Sequence, residues 1–202
     1  MSALLFLLLL TTFPARAADS SCTKFHTEYS AHINLPMVQA TWLNWINRLR
    51  RRENLPPYVL NPFLNASAQN WSTYAVKRGT IDHKRYAGSP YYDYSAIEQW
   101  FANRGLTFKN VDSVTFSENI GWGSFKCNSA DCTTALLAAT RSTFDFFVKE
   151  RSAASRPHWN CLVNDHFKEI GIGVAYSNEQ NRYYLTVHYG TQITSMPPMM
   201  CG

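Results

Sequence analysis

The chain predicts an α+β fold in a single domain, and three observations carry that prediction. Its 202 residues are 46% apolar, enough for one substantial core. Apolar residues recur at helical spacing in several stretches, while strand-like segments gather toward the end of the chain. Helices and strands are segregated rather than strictly alternating, which favours α+β over a doubly wound sheet. No charge block, low-complexity tract, repeat or internal linker divides the chain.

The first element is an export signal. Leu4 to Leu10 is an apolar run too short to span a bilayer, and Ala15-Arg16-Ala17 supplies small residues for cleavage before Ala18. Residues 1–17 are read as the signal peptide and 18–202 as the mature domain. Removing the signal takes away one arginine, so a formal charge of +5 becomes +4. No other segment is long and apolar enough to cross a membrane, and a soluble, secreted protein is expected.

Four helices follow. Val38, Trp42, Trp45, Ile46 and Leu49 form the apolar stripe of a helix from about Pro36 to Arg52. Its basic end (Arg48, Arg50, Arg51, Arg52) reads as solvated, because cations favour a helix C-terminus; contact with an anionic surface or nucleic acid is the alternative. Asn61-Pro62 opens a second helix as cap and first position, Leu64, Ala68, Trp71 and Ala75 line its inner face, and Gly79 ends it. Ser95 to Glu98 reads as a capping box for a short third helix ending near Gly105. The fourth runs from about Thr134 to Glu150 on Leu136, Ala139, Thr143 and Phe147.

The sheet is expected from a short strand at Val114 to Ser117 and from a hairpin. Glu169 to Tyr176 and Arg182 to Tyr189 are its strands, joined by the turn-rich Ser177 to Asn181.

Five cysteines all follow the signal, in keeping with an oxidising compartment. Cys127 and Cys132 are the best local pair. Cys22 and Cys201 lie near the two ends and could staple them. Cys161 is then left as a buried thiol or an intermolecular partner. No CxxC spacing exists to suggest a cysteine zinc site.

The chain carries no H-E-x-x-H helix, P-loop, G-x-S-x-G elbow or G-x-G-x-x-G turn. What it does carry is a set of four segments in order. Trp45 to Pro57 is a helix end and loop of the type hN-x-x-R. Phe116-Ser117-Glu118-Asn119-Ile120-Gly121 is a strand running through Glu-Asn. Phe147-Val148-Lys149-Glu150 is an aromatic-x-x-Glu helix end. His158 stands twelve residues before Ile170-Gly171-Ile172-Gly173. In this order and spacing they resemble the CAP superfamily of cysteine-rich secretory proteins, antigen 5 and pathogenesis-related proteins, over about residues 38–190. The resemblance implies a three-layer α-β-α sandwich around a small, mainly antiparallel sheet.

It also implies a cleft tetrad of His83, Glu118, Glu150 and His158. Two neutral imidazoles, His83 and His158, can bind Zn2+ or another divalent cation, weakly because two nitrogens are fewer than the usual three protein ligands. The carboxylates can orient water or fix the imidazole tautomers. Three departures stand out: Phe147 replaces the family's tryptophan, Pro157-His158-Trp159-Asn160 replaces its Gly-His segment, and the late C-N-Y-x-P-x-G-N motif is missing.

The resemblance implies a non-enzymatic extracellular binding protein for a lipid or sterol, another protein or a cell-wall glycan. A secreted hydrolase using Glu118 or Glu150 as general base is the alternative, and a structural protein with a vestigial cleft is the third reading. His188 is expected to be a sheet-surface histidine and His166 structural. Tyr86, Tyr91, Tyr92 and Tyr94 either wall a ligand site or pack the loop before the third helix. Asn65-Ala66-Ser67 and Asn70-Trp71-Ser72 are glycosylation sequons in a eukaryotic host.

Overall fold

The structure is a computed structural model and describes residues 30–88 and 90–195. The signal peptide and the Cys22 and Cys201 pairing lie outside the described residues. In chain order the elements are α1 (Leu35–Arg52), β1 (Val59–Leu60), α2 (Pro62–Arg78), α3 (Tyr94–Ala102), β2 (Thr107–Phe108), β3 (Phe116–Ser124), α4 (Thr133–Lys149), α5 (Pro157–Val163), β4 (Glu169–Ser177), β5 (Arg182–Gly190) and β6 (Ile193–Ser195). The main sheet has the order β1-β4-β5-β3, antiparallel except for β1, and β2 pairs with β6 in a second, small sheet. The α+β class is the observed one.

Strand alternation splits the core into two layers. On β5, Tyr183, Leu185, Val187 and Tyr189 point into a core built with α1, α4 and α5. Phe116 and Ile120 of β3 point the other way, into a core shared with α2 and α3. Residues directly opposite on paired strands share a face. Glu118 is opposite His188, so both belong to the α2–α3 layer.

Two glycines let α2 lie on the sheet. A Cβ on Gly171 would sit 1.9 Å from the Leu64 carbonyl carbon, and one on Gly173 would sit 2.2 Å from Ala68 and Gln69 backbone atoms. The Ile-Gly-Ile-Gly run is therefore a docking surface for helix backbone. Beyond the two residues paired with β1, helix side chains bond the free edge of β4. Asn65 Oδ1 accepts from Ile172 N, Gln69 bonds both backbone groups of Val174, and Gln39 Nε2 donates to Ile172 O.

Both predicted caps of α2 are present. Asn61 Oδ1 accepts from Phe63 N and Leu64 N, and Gly79 closes the helix at φ 69°. The cap of α3 is not Ser95. Asp93, in extended backbone, accepts from Ala96 N at 3.0 Å, which starts the helix at Tyr94 and puts Ser95 inside it. The strand expected at Val114 to Ser117 instead runs from Phe116 to Ser124, because β5 pairs with it along nine residues. α5, β1, β2 and β6 were not expected; all four are short.

Arg50 corrects the reading of the basic helix end. It is 1% exposed. Its Nε donates to Pro56 O, its Nη1 donates to Leu162 O and Asn164 O, and its guanidinium lies 3.6 Å from the Tyr58 ring centre. Asn47, one helical turn earlier, bonds both the N–H and the carbonyl of Tyr58. These two residues tie α1 to the loop after it and to the end of α5, the helix that carries His158.

Cys127 and Cys132 form the expected disulfide, with Cα atoms 5.6 Å apart. Cys161 is a free, buried thiol 3.1 Å from Ser117 Oγ, and burial pushes it up to about 12. No described helix is long and apolar enough to cross a membrane.

Candidate functional site

The four tetrad residues form two His–Glu pairs beside β3, an edge strand of the main sheet. His83 Nδ1 meets Glu118 Oε1 at 2.7 Å, and His158 Nδ1 meets Glu150 Oε1 at 2.6 Å. A carboxylate oxygen accepts, so Nδ1 is the donor in each pair, and in the neutral ring that tautomer leaves Nε2 as the acceptor. Among the described residues no group of three or more His, Cys, Asp and Glu could hold a metal ion. Each imidazole is thus oriented by a carboxylate on its Nδ1.

The Glu118 side is sealed. The Glu118 side chain has no solvent exposure and is bonded by three partners: His83, Arg85 and His188. Arg85 binds both carboxylate oxygens, and its guanidinium lies 3.5 Å from the Trp71 ring centre and 4.6 Å from that of Trp100. Burial alone would raise the Glu118 carboxyl, but Arg85, His188 and His83 outweigh it and hold it well below the usual carboxylate range.

His188 is fully buried, not a sheet-surface residue. Burial lowers its pKa, which keeps the ring neutral. Its Nε2 lies 2.6 Å from Glu118 Oε2 and its Nδ1 2.6 Å from Ser67 Oγ, whose hydroxyl also donates to Leu64 O at 2.9 Å. Ser67, His188 and Glu118 thus have the connectivity of a hydrolytic triad. Ser67 and His188 are both 0% exposed, so no substrate reaches the hydroxyl.

The Glu150 side is open. Glu150 follows the last residue of α4 and begins a 3-10 turn. Its Oε2 accepts from His158 N at 2.9 Å and Trp159 N at 3.4 Å, capping α5 from eight residues upstream. Phe147, one turn before Glu150 on the same helix face, stacks on the His158 ring at 4.5 Å with 8° between planes. The aromatic-x-x-Glu spacing has this reason: one helix end supplies both the ring and the carboxylate that fix the imidazole. Both residues of this pair are half-buried.

His158 lines a groove of about 460 Å³ with Ile81, Tyr91, Ile120, Trp122 and Phe146 among its walls. Trp122 is 47% and Phe146 57% exposed, so the rim of the groove is aromatic. Tyr91 links the groove to the sealed pair, its ring edge-on to His83 at 5.4 Å between centres.

The other tyrosines part company. Tyr92 packs on His83 at 4.7 Å. Tyr94 stacks on Phe116, and its hydroxyl donates to Phe116 O and lies near Thr115 Oγ1, so it packs the loop. Tyr86 lies in a different cavity, behind Arg85. His166 is near Asp112 and Asp165 at 3.7 and 3.6 Å, away from both pairs.

Sequence reasoning missed Arg85, Ser67 and the partnership of His188. The one available signal was the alternation of β5, which assigns His188 to the face opposite Val187 and Tyr189. Pairing register was needed to set it against Glu118.

The model of the cysteine-rich secretory protein (CAP) family matches residues 43–189, well over half of the chain. The fold is similar to an outer surface protein of Borrelia burgdorferi, with a TM-score of 0.54 and 15% identity over 79% of this chain and 96% of that one. It is also similar to the CAP domain of enterococcal PrgA, with a TM-score of 0.52 and 14% identity over 79% of this chain and 64% of that one. At these identities the likeness speaks for the fold alone. No curated protein matches the sequence significantly. With its three layers, its edge-strand His–Glu pairs and the family match over most of its length, the chain belongs to the CAP family of cysteine-rich secretory proteins.

Proposed function

We propose that the protein is a secreted, non-enzymatic binding domain whose groove beside His158 takes an amphipathic ligand of the lipid or sterol class. The groove itself carries the reading. Its walls are mostly apolar, its rim is aromatic, and its one titratable imidazole can orient a polar head group. Its volume of about 460 Å³ is of small-molecule size. The export signal at residues 1–17 and the Cys127–Cys132 disulfide support an extracellular site of action.

The chemistry of the two carboxylates supports binding over catalysis. A general base needs a free lone pair and a pKa near the working pH. Glu118 has neither, being bonded by Arg85, His83 and His188. A hydrolase would have to rely on Glu150 and His158. A divalent cation such as Zn2+ would be held by His83 and His158 through Nε2 and would supply a positive centre for a ligand's polar end. With two nitrogen donors its binding would be weak and would be lost as the imidazoles protonate.

The test is a titration of the purified mature chain with a fluorescent sterol and a fluorescent fatty acid. Saturable binding of one of them is expected, weakened about tenfold by Trp122→Ala or Phe146→Ala. No saturable binding of either, together with peptide or glycan turnover abolished by His158→Ala, defeats the reading in favour of a hydrolase. Zinc titration of the chain, with and without His83→Ala and His158→Ala, tests the cation separately.

A further inference from the structure

α1 and α4 lie side by side and end together. Trp42 Nε1 donates to Thr140 Oγ1, Trp45 packs on Phe144, and Glu53 pairs with Arg151 at 3.1 Å. These contacts advance in step along both helices, so the two run parallel. Their shared end carries six exposed cations: Arg48, Arg51 and Arg52 from α1, Lys149 from α4, and Arg151 and Arg156 from the segment that leads to α5. From residue 35 to 60 and from 133 to 158 the only acids are Glu53, Asp145 and Glu150. Each is committed: Glu53 to Arg151, Asp145 to Arg141, and Glu150 to His158. The potential over this end is therefore positive.

Helix-end electrostatics accounts for only part of this charge. A cation is favoured in the last turn of a helix. Arg48 precedes the last turn of α1, and Arg156 lies beyond α4. The cations also border the groove. Phe146, exposed on the groove rim, stands three residues before Lys149 on one face of α4. Arg156 stands two residues before His158, and its Nη1 donates to Arg151 O at 3.2 Å. The guanidinium of Arg182 lies 4.2 Å from the ring centre of Trp122, also exposed on the rim. The rim thus sets a cation beside each of these two rings.

We propose that this face is a docking surface for an anionic phospholipid bilayer, which the groove meets mouth first. Aromatic rings settle at the headgroup level of a membrane, and arginine and lysine are drawn to its anionic headgroups. A bilayer uses all three features of the face: the charges, the rings and the apolar groove. A sulfated glycan uses the first alone, and a single-stranded nucleic acid the first two. The surface deepens the lipid reading of the groove and rests on it for the choice of a bilayer over other polyanions. Docked this way, the groove takes a sterol or acyl chain from the membrane without passing it through water. The attachment is peripheral, since no described helix is long and apolar enough to cross a membrane.

The experiment is sedimentation of the purified mature chain with vesicles. Vesicles of phosphatidylcholine with phosphatidylserine are expected to carry the chain down, less so as salt rises, and vesicles of phosphatidylcholine alone are not. Each cation near an anionic bilayer is worth about fivefold in partition, so Arg48→Glu with Arg52→Glu should weaken vesicle binding at least about tenfold. Both arginines are exposed on α1, so the double variant keeps the fold. It should leave the binding of a fluorescent sterol, measured without vesicles, unchanged. Phe146→Ala should weaken vesicle binding as well. No sedimentation, equal sedimentation with both kinds of vesicle, or sedimentation unmoved by the double charge reversal overturns the surface, even where the sterol binds in solution. Sedimentation unmoved by Phe146→Ala overturns its orientation. Heparin or single-stranded DNA bound by a chain that ignores the vesicles overturns the choice of a bilayer. Salt-sensitive sedimentation without sterol binding in solution supports the surface and strikes the lipid reading of the groove.

Discussion

The two His–Glu pairs have the same chemistry and nearly the same hydrogen-bond length, yet they are opposite kinds of structure. Glu118 is fully enclosed, answers one arginine and two histidines, and has become part of the core. Glu150 caps a short helix at the surface and holds one imidazole against Phe147 at the wall of a groove. The difference follows from position. β3 is an edge strand, and one of its faces is covered by α2 and α3 while its other side borders the open groove. Identical side chains on such an edge divide into a strut and a tool.

The comparison is tested hardest at Glu118. Glu118→Gln keeps the shape but leaves Arg85 buried without its counter-charge, and a loss of about 3–5 kcal/mol is expected. Denaturant unfolding measures it; a loss below about 1 kcal/mol would mean that the cluster is not sealed. Glu150→Gln should cost less, about 1 kcal/mol, because its site is half-buried and water can replace the contacts. If the two substitutions cost the same, Glu118 is no more a part of the core than Glu150.

The pH dependence of stability separates the halves in a second way. His188 is held neutral, its folded pKa below the unfolded value. The unfolded chain then binds the extra proton, so stability falls as pH drops below about 6.5. Glu118 has a depressed pKa, so its contribution is complete above the unfolded value of about 4.3 and is lost as pH falls further. A two-stage fall in melting temperature between pH 7 and pH 3 is expected. A flat profile from pH 7 to pH 5 would count against a neutral, buried His188.

The smallest stability effect is expected at His158. Its side chain is 23% exposed and lies at the surface end of the groove wall, so His158→Ala should change stability by no more than about 1 kcal/mol. The same change should alter ligand binding in the groove, whereas a change in stability without any change in binding would make this imidazole a second strut.

Much of this was legible in the chain. Asn61-Pro62 and Gly79 bound α2, because capping and left-handed backbone are local demands that particular residues meet. The spacing of Phe147 and Glu150 gives one helix face, and Ile-Gly-Ile-Gly marks a strand under close approach. Charge was less legible. The run from Arg48 to Arg52 looks uniform, yet Arg50 alone is buried, because it sits one turn from Asn47 and faces α5 across the loop carbonyls.

By itself, then, the sequence determined α1 to α4, the hairpin and the local disulfide, and its ordered motifs singled out the four residues that meet as two His–Glu pairs, since periodicity, caps and motifs are properties of neighbours along the chain. Tertiary structure alone decided that Glu118 belongs to Arg85 and His188 as much as to His83, and that Tyr86 lines one cavity and Tyr91 another. Those outcomes depend on strand register and on which face of an edge strand a helix covers. Burial, which turns a carboxylate from a base into a strut, is a sum over residues distant in sequence, and no local pattern encodes it.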